Sequence, residues 1–319
     1  MTEKHEQHNL AGIALVLTGI GALTVMDSVA KWLVGAHYSV MQILAFRGWI
    51  IVAGMLFLVP RLGGLAALKT ARPGGHVLRI AVGFFAPYLF FSSLKTMPLA
   101  DTTVIFFGGA TFLMTALSVP LFKERVGAHR WAAICVGFVG VLIAAQPGSS
   151  VFQADAFYAL GSGAAYALMM LATRWLGPSE GVFRQVFYFN LGLAVIGSAS
   201  LPLVFVPMPM ADFGIVLSMA ALAVSGHYCT TKAFGLAPVG LLAPFEYSAL
   251  VWSAILGYVF WDDIPGHPVL AGAGIIVASG VYLAHRETLA ARRKKHAARE
   301  AMLVADPVPV VVAIEAENP

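Results

Sequence analysis

The chain has 319 residues, 59% hydrophobic and only 11% charged, with a formal net charge of +4 and two cysteines; its mean hydropathy is +0.81. A soluble domain carries roughly 25% charged residues, so no water-solvated core hides this much apolar surface and lipid must be the solvent for most of the chain. The excess of basic residues lies mainly in loops and tail, so it argues topology rather than nucleic-acid binding. Cys135 and Cys229 both fall inside apolar stretches, which excludes a disulfide framework.

Ten apolar spans follow one another, each close to the ~20 residues a bilayer requires. They run 10–35, 39–60, 77–94, 99–121, 129–146, 155–176, 182–205, 211–235, 238–261 and 267–285. The polar segment 1–9 precedes them without a cleavage site, so the first span reads as retained. The connections are short, as in an up-and-down helical bundle. The tail 286–319 opens with a basic run, read as a helix end followed by disorder.

Cytoplasmic loops carry the excess of Lys and Arg. With the N-terminus inside, Arg61, Lys69, Arg72, Arg79, Lys123, Arg125, Arg130, Arg174, Arg184 and the basic tail fall on the cytoplasmic side, and only Lys95 at an outer turn. Outer turns instead hold Asp101, Asp155, Asp212, Asp262 and Asp263. This asymmetry places both termini in the cytoplasm and the protein in the inner (plasma) membrane.

The sequence also repeats itself. Lys31-Trp32-Leu33 matches Arg174-Trp175-Leu176, and Gln42 and Phe46 match Gln185 and Phe189, all at an offset of 143. Tyr88 and Pro98 match Tyr228 and Pro238 at 140; Leu117, Glu124 and Gly127 match Leu256, Asp263 and Gly266 at 139. A period near half the chain indicates a two-fold duplication. Five spans per copy is odd, so the copies, 10–146 and 153–285, enter the membrane from opposite sides. The expected fold is all-α and integral to the membrane, with ten helices as two inverted five-helix repeats. Such repeats give two nearly equivalent packings around a midplane site.

Several motifs resemble the drug/metabolite transporter superfamily, specifically EamA-domain proteins. They are the M-D-S-V-A-K stretch at Met26–Lys31, the Gln42…Arg47 pair and the S-L-x-x-x-P turn at Ser93–Pro98. The most specific is P-L-F-x-E-R at Pro120–Arg125, before a Gly-rich span ending G-V-L-I-A. The resemblance covers residues 10–285. It implies the ten-helix inverted-repeat fold, transport activity, and a cavity lined by helices 1, 3, 4, 6, 8 and 9. The first two spans look closest to the riboflavin and S-adenosylmethionine uptake branches. The second copy departs from the pattern at Trp261-Asp262-Asp263-Ile264.

Charges inside the membrane are the leading site candidates, because each costs roughly 2.5–3.5 kcal/mol at a helix centre. Asp27 and Lys31 are four residues apart and share a helix face. Asp27 and Arg47 each lie roughly 12 Å below the outer end of their span. An Asp27–Arg47 or Asp27–Lys31 pair serves either as an outer gate and site for a charged substrate group, or as a structural tie between spans one and two. Glu246, with His227 and Asn190 at similar depth, is the most isolated acid of the second half. It reads as a proton- or cation-binding group, or as a carboxyl hydrogen-bonded to Tyr228 or Tyr247. Tyr88, Phe90, Phe91, Phe106, Phe107, Tyr166, Tyr228, Phe245, Tyr247 and Trp252 offer faces for a planar ligand; Phe106 and Glu246 occupy near-equivalent repeat positions. Gly137, Gly140, Gly161, Gly163, Gly272 and Gly274 read as close-packing positions. Pro120, Pro238 and Pro244 read as turns or kinks.

The first functional reading is therefore a secondary transporter of a small organic metabolite, importing riboflavin or S-adenosylmethionine, with export of amino acids or drugs as the alternative. A membrane enzyme needs a reactive motif such as HExxH; none is present, and His37, His76, His129 and His267 are scattered over turns. No phosphate-binding loop of the G-x-x-x-x-G-K-[ST] type occurs, a wide channel lacks its polar stripe, and neither cofactor nor metal is expected. The expected partners are the substrate and the bilayer, with no nucleic acid; a homodimer is left open.

Overall fold

In the computed structural model, residues 2–123, 128–146, 155–176, 180–236, 242, 245–282, 285, 286 and 289 are described. The helices are α1 (Thr2–Gly35), α2 (Val40–Leu58), α3 (Pro73–Gly83), α4 (Phe85–Ser93), α5 (Leu99–Phe122), α6 (Ala128–Ala145), α7 (Ala156–Leu176), α8 (Val182–Val204), α9 (Met210–Leu236), α10 (Ser248–Trp261) and α11 (His267–Tyr282). No strand occurs among the described residues, as lipid demands: with no water to bond the backbone, each span must satisfy its own N–H and C=O groups.

Seven segments are long and apolar enough to cross a bilayer, and three shorter apolar helices accompany them. The protein is thus an all-α, multi-pass membrane protein. Large apolar side chains on the periphery, such as Phe57 at 72% exposure and Leu203 at 89%, face where lipid lies. Residues 124–127, 237–241, 243 and 244 lie outside the described residues, and with them Glu124, Pro238, Pro244 and the start expected for the ninth span; so does the tail beyond 289.

The third span differs from its reading at 77–94. It begins at Pro73 and consists of two helices, α3 and α4, that meet at Phe84. Pro87 explains the break: it has no N–H to bond the carbonyl of Gly83, and its ring crowds that carbonyl. Phe84 itself stays in the right-handed helical region, so the span bends rather than turns back.

α1 packs on α9, α2 on α8, and α7 on α3, α4 and α5; α10 touches α1 and α5, and α6 lies along α5. Apolar burial is no driving force between helices in lipid, so close backbone approach carries the packing. Gly19 and Gly226 meet at the α1–α9 crossing: a Cβ on either would stand 2.9–3.0 Å from the other's carbonyl oxygen. Gly140 and Gly272 pack together between α6 and α11, and Gly163 seats α7 on α5, whereas Gly274 faces open space. Leu33, Ile43, Leu44, Phe91, Leu193 and Met219 centre the larger apolar core; Val104, Ile105, Val141, Ala159 and Ile276 belong to a second.

Candidate functional site

A cavity of about 340 Å³ opens midway along the bundle, walled by α1, α4, α5, α7, α9, Glu246, Ala249 and Arg47 of α2. Asp27, Arg47, Phe106, Tyr166, His227 and Glu246 all line it. These residues come from six helical segments and span two hundred positions of sequence, so the fold alone unites them. The bend at Pro87 is part of the wall, and there Ser162 of α7 donates to the carbonyl of Ala86 at 2.7 Å.

One wall is aromatic. Phe106 stands edge-on to Phe90, Phe107 and Tyr166, each at a centroid distance of 5.3 Å. Edge-to-face rings of this kind hold one another while leaving other faces free for a planar guest. Thr24, Thr103 and Thr230 also line the cavity but hydrogen-bond back to their own helices. They give the wall weak polarity rather than fixed partners.

The charged groups face one another without closing. Arg47 is buried; its Nη1 donates to the sulfur of Met26 at 3.7 Å and its Nε has no partner among the described residues. Its guanidinium sits 5.9 Å from the Phe91 ring. Asp27 and Arg47 attract each other electrostatically, yet no ion pair within 4.0 Å joins them. Glu246 neighbours Tyr166, and His227 lies in the field of Arg47 and Arg79.

Four expected site residues lie elsewhere. Lys31 is not paired with Asp27: its chain extends outward to Asp263 at 2.5 Å and over the Trp261 ring at 4.8 Å. A long lysine one turn nearer the surface reaches the interface more cheaply than it pairs inward. Tyr88 stacks on Phe84 at 5.6 Å, against the core rather than in the cavity. Tyr228, next to His227 but on the adjoining face of α9, is 63% exposed and lies beside Lys232. Tyr247 edges a lipid-side groove between α10 and α11, 6.4 Å from Phe107. Asn190 donates to Val186 within α8 and is not a wall residue. Wall residues the sequence reading missed include Met26, Pro87, Thr103, Ser162 and Met169. Only Pro87, a proline inside an apolar span, carried a signal.

Contacts cluster at both ends of the bundle. On one face Tyr38 donates to Asp212 at 2.5 Å, Gln42 exchanges two hydrogen bonds with Val206, both 2.8 Å, and Thr96 donates to Asp155. The Tyr38 phenol is held above its ordinary value by that bond, with burial and the Asp212 charge adding. On the other face Glu180, fully buried, accepts from Thr70 at 2.8 Å, the Ala71 N–H at 3.0 Å and Arg184 at 3.0 Å, with His76 at 3.5 Å. Burial alone raises a carboxyl, but those donors and the Arg184 charge outweigh it and hold Glu180 down at about 2.

No family model matches the chain. It is 25% identical over 283 residues to an S-adenosylmethionine uptake transporter of Rickettsia bellii, covering 89% of this chain and 96% of that one. It is 25% identical over 317 residues to a riboflavin transporter of Vibrio cholerae (93% and 100%), and 26% identical over 280 residues to a pseudopaline exporter of Pseudomonas aeruginosa (86% and 95%). One crystal structure superposes with a TM-score of 0.60 at 18% identity, covering 88% of this chain and 98% of the other, a likeness of fold.

Proposed function

We propose that this chain is a secondary transporter of a small organic metabolite, acting by alternating access in the plasma membrane with both termini in the cytoplasm. The observation that carries the reading is the mid-bundle cavity, walled on one side by aromatic rings and on others by opposed, unpaired ionisable groups. The relatives are transporters by name rather than enzymes.

Two inverted halves, 10–146 and 153–285, supply the two packings. Exchange α1 with α7, α2 with α8, α3/α4 with α9, and α5 with α10. The α1–α9 contact becomes α7–α4, α5–α7 becomes α10–α1, α2–α9 becomes α8–α3, and α2–α8 and α5–α10 map onto themselves; every one of these contacts is present. The left-handed residues that end α5 and α10, Lys123 at φ 53° and Asp262 at φ 56°, also stand at the repeat offset of 139. Both facts support the inverted repeat, and the Lys and Arg distribution supports the orientation.

Substrate is read from the wall. The rings suit a planar group, as in the adenine of S-adenosylmethionine or the ring system of riboflavin. Glu246 binds a proton or a cationic group in turn from either side. Lys31–Asp263 closes the outer end. The test is uptake of radiolabelled S-adenosylmethionine and riboflavin into proteoliposomes, with and without a proton gradient. Saturable uptake of one, lost in Glu246→Ala, is the expected result. Uptake of neither ends the import reading and leaves export as the path to test.

A further inference from the structure

Arg47 is 7% exposed, yet among the described residues its guanidinium meets only a thioether, a ring face and the cavity. A buried guanidinium with open donors is costly to keep and has the fork geometry that takes a carboxylate two-handed. Asp27, next in the chain to Met26, lines the same cavity and lies in Arg47's field, with no ion pair to it and no hydrogen bond among the described residues. Two opposite charges that attract and still do not touch leave a gap framed by one anion and one cation. The chemical group that fills such a gap is itself a zwitterion in reverse. From Arg47 the rings run on through Phe91 at 5.9 Å to Phe90, 6.3 Å further, and then Phe106 and Tyr166, so a guest held here extends its remaining body across the rings.

We infer that Asp27 and Arg47 form a clamp for an amino-carboxylate head, the carboxylate seated on Arg47 and the ammonium on Asp27. The inference deepens the transport reading and rests on it. It selects between the two candidate solutes: S-adenosylmethionine carries an α-amino-acid head as well as a planar base, while riboflavin has no ammonium or carboxylate to offer. It also makes these two residues determinants of specificity rather than a tie between α1 and α2.

The test separates binding from movement. Affinities of S-adenosylmethionine, its decarboxylated form, methylthioadenosine (which lacks the whole head and the sulfonium charge) and riboflavin are measured in nanodiscs by equilibrium binding, for the native protein, Arg47→Gln and Asp27→Asn, the two variants separating the head from the sulfonium. The native protein is expected to bind S-adenosylmethionine at least about 10-fold more tightly than methylthioadenosine, since charge-assisted bonds are the stronger kind. Arg47→Gln should weaken S-adenosylmethionine about 10-fold and leave the decarboxylated form within about twofold. Asp27→Asn should weaken both amine-bearing ligands and spare methylthioadenosine. The clamp is overturned if methylthioadenosine binds as well as S-adenosylmethionine. It is also overturned if the variants weaken all ligands alike, if riboflavin binds and S-adenosylmethionine does not, or if none binds the native protein. The expected affinity pattern without uptake into liposomes would instead end the import reading and leave the clamp standing.

Discussion

Removing Lys31 should open the outer end of the cavity. Lys31 lies 2.5 Å from Asp263 and 4.8 Å from the Trp261 ring, with the two side chains of the ion pair 11% and 29% exposed. A fully exposed pair contributes about 0–1 kcal/mol, a hydrogen bond to a charged group about 1.5–3, and a cation over a ring about 0.5–1. With both side chains largely buried, the loss in Lys31→Ala is about 1–3 kcal/mol. Asp101 adds to it, because it interacts with both Asp263 and Lys31 and would be left facing a bare carboxylate. Only energy that differs between states shifts their balance. The contact joins α1 to the α10–α11 turn, which lie in different halves, so opening breaks it entirely and the outward-open population should rise about 5- to 150-fold. The assay places one cysteine at Thr103 of the cavity wall, in a background with Cys135 and Cys229 changed to serine, and follows labelling by a membrane-impermeant maleimide. Lys31→Ala and Asp263→Ala should each speed labelling by about fivefold or more, and the double exchange Lys31→Asp with Asp263→Lys should slow it again. Equal labelling rates across the set would refute the outer closure.

Further outcomes follow from other contacts. Glu246→Gln should flatten the pH dependence of uptake; full retention of that dependence ends the proton role. In Gly163→Ala the new methyl would stand 2.6 Å from the carbonyl oxygen of Phe106 and 2.9 Å from the Ala110 nitrogen. Neither backbone atom yields, so α5 and α7 part, thermal stability in detergent falls by about 1–3 kcal/mol, and the Phe106–Tyr166 wall is displaced with loss of uptake. Glu180 is held at about 2, below its ordinary 4.5. A depressed carboxyl contributes stability that is full above the ordinary value and is lost as pH falls through the folded value. Thermal unfolding should therefore be pH-independent in this respect down to about pH 5 and then fall steeply toward pH 2, and Glu180→Gln should remove that acid limb.

The helical, membrane-spanning character of the chain is written in one-dimensional signals: span lengths need only counting, as do the charge alternation and the 139–143 offsets from which the orientation and the inverted repeat are proposed. Asp27, Arg47 and Glu246 were legible because an ionisable residue in a lipid span demands a reason. What sequence hides is helix rotation. Tyr228 and His227 are neighbours in the chain, yet about 100° around the helix places one on the periphery and the other on the cavity. Lys31 and Asp27 share a face, but that says nothing of Asp263, 232 positions away, which offers Lys31 a shorter path to solvent. Ser162 and Thr103 give no sign at all, because a hydroxyl that bonds a neighbouring backbone is tolerated anywhere in a span.

The contacts at the two ends of the bundle are unlike in strength. In the proposed inverted repeat, the α1–α2 turn against the 205–209 connection corresponds to Glu180 against Thr70 and Ala71. In the proposed orientation the outer contact is made by Tyr38–Asp212 and the neutral amide of Gln42. The inner one is a fully buried carboxylate with two hydroxyl or amide donors and a guanidinium, reinforced by Arg184 on the carbonyl of Lys69 and Tyr188 on that of Leu68. Separating a buried, hydrogen-bonded charge from its partners costs about 3–5 kcal/mol, whereas each neutral hydrogen bond returns about 0.5–1.5 on exchange with water. A transporter that had to break the inner set on each cycle would carry that cost into its rate. The economical motion keeps the Glu180 network whole, so that α2, α8 and the turns they carry form the fixed frame. It moves α1, α5, α7 and α10 about the cavity, where the contacts to be broken are Lys31–Asp263 and ring edges.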